Sequence, residues 1–443
     1  MSHIHRRFAL AAAALAVVAG ACSPGTATPT PRPTATPTPA APTESPSPNA
    51  VTIDWWHTNL ADPARTIWQT AASMYMADHP LVNIKIEALD AGTFATRLAI
   101  AQNSNNMPDL FESSGGLDFY ALAQAGMLDD ISPEVAAWTN PAAKDINAMN
   151  VFTYEGRQYG VPWSMGMTGF FYNRALFTKA GITALPTAWD DLLADVDKLK
   201  AANIVPFAIA GRDEWPAMNL WTYLLLREGG SDALTQMVHT GAWNNGVCTR
   251  AGGDLAALVA RNPFQPAYMS AVYDRGEAAA MGNGQAAMEI VGEWGPSAQR
   301  SNSADGNGLG DNLGWFSFPT VFGGSGRAMD GLGSASGIAV GKNAAPEAID
   351  FLHFLMSAGI MREIGSSGMG LPTAITSVDT VADPILQRLV VDRNQAQSMQ
   401  LYLNLVTTPK VTKAIEDQVA GLLGGRLNSQ QVCQAIEAAA KPG

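Results

Sequence analysis

Long basic runs are missing from this chain, and that absence is the first constraint on function. Lys and Arg number 27 against 39 Asp and Glu, for a formal net charge of -12. Nucleic-acid binding needs clustered positive charge on one face, so a nucleic-acid partner is excluded. Cysteine is equally scarce, with three in 443 residues, and the six histidines are scattered. Neither type shows the ligand spacing of a zinc site. Asp305-Gly306-Asn307 does not open a calcium loop, because Leu309 and Phe316 fall where ligands are needed. The glycine pattern Gly282-x-Gly284-x-x-Ala287 has helix before strand, the reverse of a dinucleotide fingerprint, and Gly331-x-Gly333-x-x-Ser336 fails at its last position. No metal and no cofactor is expected.

The N-terminus carries an export signal. His5-Arg6-Arg7 is followed by an apolar run, Phe8 to Ala21, of 14 residues. A membrane span needs roughly 18–20, so residues 1–21 read as a signal peptide. The Arg pair leaves a twin-arginine signal open. Val18-Ala19-Gly20-Ala21-Cys22 resembles the lipobox of bacterial lipoproteins, in which the Cys becomes a lipidated N-terminus; Ala19 departs from the usual Leu. Plain cleavage after Ala21 would instead give a freely secreted protein. Residues 22–50 hold nine of the 27 prolines among Thr, Ser and Ala. Such a tract cannot build a core and favours an extended stalk between anchor and folded body. A diacylated Cys22 would supply the two chains that stable attachment needs.

The remaining ~390 residues exceed one typical core and point to two domains. Val51 to Trp55 and Val82 to Glu87 alternate as strands do, with a helix over 63–78 between them, a second helix near 93–104, and a third strand opening at Pro108-Asp109-Leu110-Phe111. That order implies right-handed crossovers and a mainly parallel sheet, with ligands expected at the strands' carboxyl ends. Thr187-Ala188-Trp189-Asp190 reads as a capping box. Strands follow at 204–210 and 285–291, and helices near 217–229 and 251–261. Leu313 to Pro319 reads as a strand returning to the first unit. A strand at 337–341, a helix at 345–358 and two last helices, 383–405 and 428–440, complete the pass. In an exported protein the two cysteines beyond Cys22 are expected to pair, as Cys248–Cys433, linking a mid-chain loop to the last helix.

A series of segments is similar to one family. Tyr154-Glu155-Gly156-Arg157-Gln158-Tyr159-Gly160-Val161-Pro162-Trp163, then Gly169-Phe170-Phe171-Tyr172-Asn173-Arg174-Ala175-Leu176-Phe177, strongly resembles the extracellular solute-binding proteins of family 1, the sugar-binding components of ABC importers. Pro108-Asp109-Leu110-Phe111, Pro186 to Leu192, Gly284 to Met288 with Gly292-Glu293-Trp294, and Ala345 to Leu352 extend the likeness over most of 51–380. The resemblance implies an α/β, periplasmic-binding-protein-like fold of two discontinuous lobes around a ligand cleft. By analogy, lobe one is 51–162 plus 300–370 and lobe two 163–299 plus 371–443. It also implies closure on ligand and docking of the closed form on the permease subunits of an ABC importer. The signal and stalk add export to the outer face of the cell membrane, and a monomer is expected.

A pyranose offers apolar C–H faces to aromatic rings and an edge of hydroxyls to carboxylates, amides and His. Among 11 tryptophans, Trp163, Trp215 and Trp294 fall at junctions or strand ends and are the stacking candidates. Trp68, Trp138, Trp189 and Trp221 fit helix faces and belong to cores. The polar candidates are His57, Asn59, Asp90, Glu112 and Ser114 from the first unit, and Glu214 and Glu293 from the second. Asp330-Gly331-Leu332-Gly333-Ser334 resembles a ligand-lining loop of the family, with Gly333 allowing close backbone approach. The predicted function is capture of a carbohydrate, an oligosaccharide, without catalysis. A glycoside hydrolase would need two carboxylates flanking one bond, and no hydrolase motif surrounds Glu112, Glu214 or Glu293. A polyol- or phosphodiester-binding protein and a surface adhesin are the competing non-catalytic readings.

Overall fold

Strand β1, Val51–His57, buries Ile53, Trp55 and His57 and turns Thr52 outward, the period of two that a half-buried strand requires. The computed structural model describes residues 50–138, 146–373 and 381–441; the signal, Cys22 and the stalk lie outside them. β1 pairs in parallel with β2, Val82–Ala88, and with β3, Leu110–Ser113. The connections are the helices Ala64–Asp78 and Ala91–Ser104. A small hairpin, β4 (Thr153–Tyr154) and β5 (Arg157–Gln158), precedes β6, Gly160–Met165. β6 and β12, Ala335–Val340, then add antiparallel, giving the five-stranded order β2-β1-β3-β12-β6.

A second sheet has the order β10-β7-β9-β8. Its strands are β7 (Gly169–Asn173), β8 (Val205–Phe207), β9 (Ala286–Val291) and β10 (Leu313–Phe316). β8 runs parallel to β9, and β7 is antiparallel to both β9 and β10. The strand at 313 therefore extends the second sheet instead of returning to the first. Its Trp315 packs edge-on against Phe171 of the neighbouring strand, with ring centroids 4.9 Å apart.

The C-terminal region also differs from what the sequence suggests. The single helix expected over 383–405 is a helix Pro384–Gln395, a strand β13, Ser398–Leu401, and a turn of helix Leu403–Val406. β13 pairs in parallel with β11, Asp330–Gly333. A helix Pro409–Leu423, capped by Thr408, follows where none is expected. At the Trp189 helix the cap lies one residue later than expected: the Asp191 carboxylate accepts from the Ala188 backbone N–H at 3.1 Å.

Separate cores lie against the two sheets. Trp55, Trp68, Trp163 and Phe351 fill the first; Trp189, Trp221, Tyr223 and Phe318 fill the second. Cys248 and Cys433 are joined by a disulfide between two helices, Gly246–Val259 and Ser429–Ala440; Cys248 thus sits in a helix's first turn and not in a loop.

Candidate functional site

At the carboxyl ends of β1 and β3 the structure assembles His57, Thr58, Asn59 and Glu112. One Glu112 oxygen, Oε2, accepts from the Thr58 backbone N–H and hydroxyl, both at 2.6 Å, and from Asn59 Nδ2 at 3.3 Å. The Asn59 N–H donates to His57 Nδ1 at 3.2 Å. A neutral imidazole that accepts at Nδ1 carries its proton on Nε2. That Nε2–H is buried and has no partner. Burial lowers the His57 pKa, with the Glu112 charge opposing, so the ring stays neutral. His57 is itself buried, so the groups this cluster leaves partly exposed are Thr58, Asn59 and the anchored Glu112 carboxylate.

Two other first-sheet candidates stand apart from this cluster. Asp90 is exposed and caps the helix Ala91–Ser104, accepting from the Thr93 N–H at 3.0 Å and the Thr93 hydroxyl at 2.6 Å. Ser114 is exposed on the loop after β3. Trp163 is not a cleft residue. It is 5% exposed, and its ring meets Trp68 edge-on at 5.4 Å. Every residue of β6 is buried, and Trp163 packs into the core with Trp55, Trp68 and Phe351.

Beyond β8 and β9 an aromatic group forms. Trp215 opens the helix Trp215–Thr240 and lies 5.1 Å from Tyr273 and 6.1 Å from Trp294, the latter T-shaped. Trp294 in turn meets Tyr402 edge-on at 6.3 Å. Trp215 and Trp294 are half-buried, so each keeps surface for a partner. Glu214, held at φ 63°, pairs with Lys413 at 3.1 Å. The Glu293 carboxylate lies against Gly166, where a Cβ would overlap it, and its Oε2 is buried without a hydrogen-bond partner. Burial pushes Glu293 up to about 7, with Arg393 opposing. Gly333 approaches the Gly166 carbonyl so closely that a Cβ would clash, and its own carbonyl accepts from the Tyr402 N–H at 3.1 Å.

Sequence reasoning missed Thr58, Tyr273, Arg393 and Tyr402. Arg393 is buried, donating to the carbonyls of Met165, Leu371 and Pro372 at 3.0 Å each. A motif could have flagged none of them except Thr58, which follows the strand end directly. A separate cavity of about 870 Å³, lined by Tyr120, Val151, Thr235, Trp243, Met399 and others, includes none of the candidates. Among the described residues no group of three or more His, Cys, Asp or Glu side chains could hold a metal ion, and no helix is long and apolar enough to cross a membrane.

Residues 57–362 match the family model described as bacterial extracellular solute-binding protein. An ABC transporter extracellular-binding protein of Pyrococcus horikoshii is 24% identical over 255 residues, 54% of each chain. The diacetylchitobiose-binding protein DasA of Streptomyces coelicolor is 25% identical over 164 residues, 37% of each chain. The chain thus spans about half or less of the length of these curated relatives. Among solved structures, the bacterial solute receptor AcbH, described as having an exclusive preference for β-D-galactopyranose, superposes with a TM-score of 0.76 at 20% identity, over 88% of this chain and 98% of that one. At that identity the likeness establishes the two-lobed α/β fold.

Proposed function

The chain belongs to the bacterial extracellular solute-binding proteins, and from that premise we propose that it captures a carbohydrate, an oligosaccharide, and delivers it to the permease subunits of an ABC importer. The observation that carries this reading is the Trp215–Trp294 pair, half-buried at 6.1 Å with Glu293 beside it, beyond the end of β9. Such rings suit the C–H faces of a pyranose. The partly exposed Asn59 amide and Glu112 carboxylate suit its hydroxyl edge, with His57 buried behind them. One lobe comprises the sheet β2-β1-β3-β12-β6 with its helices, the other the sheet β10-β7-β9-β8 with the C-terminal helices. The chain passes between them near 166–168 and 317–334. A ligand touching both groups would favour the closed state by its differential affinity for it. The names of DasA and AcbH point to sugars.

Glu214 is occupied by Lys413 and Glu293 is wedged against Gly166. Neither is placed as a free partner for a hydrolytic pair, which argues for binding without turnover. We further propose an exported monomer, anchored at the outer face of the membrane through lipid on Cys22. Replacing Cys22 with Ala should release the protein from the membrane fraction.

A panel of mono- and oligosaccharides scored by melting temperature identifies the ligand. Calorimetry on Trp294→Ala should then show binding weakened by roughly 1–3 kcal/mol. A chain that melts at the same temperature with every sugar would reject the carbohydrate reading.

A further inference from the structure

Arg227 lies fully buried on the helix Trp215–Thr240, about three turns after the indole that opens it. Its guanidinium donates to four backbone carbonyls, all on the crossing 317–334. Nη2 reaches Phe318 at 2.9 Å and Ala328 at 3.2 Å, Nε reaches Pro319 at 3.1 Å, and Nη1 reaches Asp330 at 2.8 Å. It also lies over the rings of Tyr223 and Phe318, 5.1 and 5.7 Å from their centroids. One side chain thus holds both ends of the excursion 318–330. The loop between those ends lies along the same helix. The Ser325 N–H donates to the Glu228 carbonyl at 3.1 Å and the Gly326 N–H to the Arg227 carbonyl at 2.9 Å, and a Cβ on Gly324 or Gly326 would overlap that backbone. Tyr223, one turn earlier on the same face, takes the next part of the crossing. Its hydroxyl accepts from the Leu332 N–H at 3.1 Å and donates to the Thr168 carbonyl, on the other crossing, at 2.6 Å.

A buried cation is a costly way to close a loop. Asp330, the acid whose charge bears on Arg227, is not its direct partner. That carboxylate is taken by Arg327 at 2.8 Å and the Ser398 hydroxyl at 2.6 Å. Carbonyls supply only partial charge, and a planar fork with donors in fixed directions is needed to meet four of them at once. The fastening ends at Asp330. Gly331, Leu332, Gly333 and Ser334 alone separate it from β12, in the first sheet. Here the backbone is closely approached: a Cβ on Gly333 would overlap the Gly166 carbonyl, and one on Gly331 would overlap Met399 Sδ. Gly166 is the corresponding point of the other crossing, and its N–H donates to the Ser334 carbonyl at 2.9 Å. β11 pairs only with β13, in a two-stranded ribbon that holds its shape less firmly than either larger sheet.

We propose that Arg227, with Tyr223, is the positioning residue of lobe closure: it makes 318–330 part of lobe two and confines the bend to Gly331–Ser334 and Gly166. This rests on the reading that the lobes close on a ligand. It puts the bend where the Glu293 carboxylate lies against Gly166, next to Trp294, so the lobes turn about a point adjoining the stacking surface. A loosely held crossing would give the lobes many relative orientations, few of them able to bind, and apparent affinity falls with the competent fraction.

The test uses the whole exported protein. Spin labels attached at Leu81→Cys and Leu185→Cys, exposed positions on lobe one and lobe two, report the distance between the lobes without any sugar. Arg227→Lys keeps the charge and loses the fork. It should broaden the distance distribution about twofold. It should also weaken binding of the sugar selected by the melting panel about tenfold, through slower association, because the contacts of the bound state are unchanged. A variant that melts lower but keeps the parent's distance distribution and affinity would overturn the proposal, since Arg227 would then only close a loop. If Arg227→Lys does not fold, Tyr223→Phe, which keeps the ring and frees Leu332 from the helix, is read by the same two measurements with the same outcomes. If no sugar binds the parent, the carbohydrate reading fails, and the distance distribution of the unliganded protein decides the role of Arg227 by itself.

Discussion

The hydroxyls of Thr168 and Tyr402 share a buried hydrogen bond of 2.7 Å across 234 positions of sequence. Around it four segments are knitted together. The Thr168 N–H donates to the Leu332 carbonyl at 2.7 Å, the Tyr223 hydroxyl donates to the Thr168 carbonyl at 2.6 Å and accepts from the Leu332 N–H at 3.1 Å, and the Tyr402 N–H reaches Gly333. The Thr168 and Leu332 segments are places where the chain leaves one sheet for the other, from β6 to β7 and from β10 to β12. Because Tyr402 also meets Trp294 edge-on, a ligand stacked on Trp294 would sit one ring away from the crossing.

Tyr402→Phe separates the two roles of that residue. The substitution keeps the ring against Trp294 and removes the hydroxyl, leaving Thr168 short of a partner in a buried setting. The expected cost in unfolding free energy is about 1–3 kcal/mol, read from urea denaturation, with ligand affinity changed little. Tyr402→Ala removes ring and hydroxyl together and should lose both stability and affinity. Equal affinity losses in the two variants would show that the hydroxyl, not the ring, serves the ligand.

Asp90 invites a similar division. It stands at the end of β2, where a ligand contact is expected, yet its carboxylate is occupied by Thr93. As a helix cap, Asp90→Ala should cost about 1 kcal/mol of stability and leave ligand affinity untouched. Asp90→Asn or Asp90→Ser should restore the stability. A tenfold affinity loss in the alanine variant would return Asp90 to the ligand-binding group.

These cases mark what the sequence could and could not tell. Ile53 and Trp55 alternate with Thr52 and Asp54, so β1 was readable from local pattern, as was the buried face of Trp189, Leu192 and Val196 on its helix. Asp90 three residues before Thr93 had a capping signature that its strand-end position masked. Ser398–Leu401 forms a strand because β11 lies beside it, 68 residues earlier, and helical periodicity running on from Pro384 hid it. Trp163 differs from Trp215 and Trp294 only in which way it faces, and neighbours distant in the chain set that. Tyr273, Arg393 and Tyr402 acquire their roles through such contacts alone.

Glu293 makes stability depend on pH. Its carboxyl sits at about 7 in the folded protein against an ordinary value of 4.5. A carboxyl raised on folding contributes stability that is full below 4.5 and is lost as pH climbs through 7, because the folded state then ionises a group it holds better neutral. The residue is half-buried, so the span should be roughly 1–2 kcal/mol, below the figure its shift alone would give. The nearby Arg393 acts against it. Unfolding free energies at pH 4.5 and pH 8 should differ less in Glu293→Gln than in the parent, by that amount. Identical pH profiles would show that the Glu293 pKa is the same in the folded and unfolded states.

The Cys248–Cys433 bond closes a loop across 185 positions and pins the last helix to Gly246–Val259. Both sulfurs are buried, so a mild reductant should not reach them in the folded state, and reduction should need partial unfolding. Replacing both residues with Ala removes a constraint on the unfolded chain and should cost about 2–5 kcal/mol. The helix Pro409–Leu423 packs against both disulfide-bearing helices and the helix Trp215–Thr240. Loosening should therefore spread toward the base of the Trp215 helix. Hydrogen exchange in the double variant should accelerate first at Ser429–Ala440, then along Pro409–Leu423, while β1 to β3 stay protected. Uniform acceleration across both sheets would mean that the chain unfolds as one unit and that the bond has no local role.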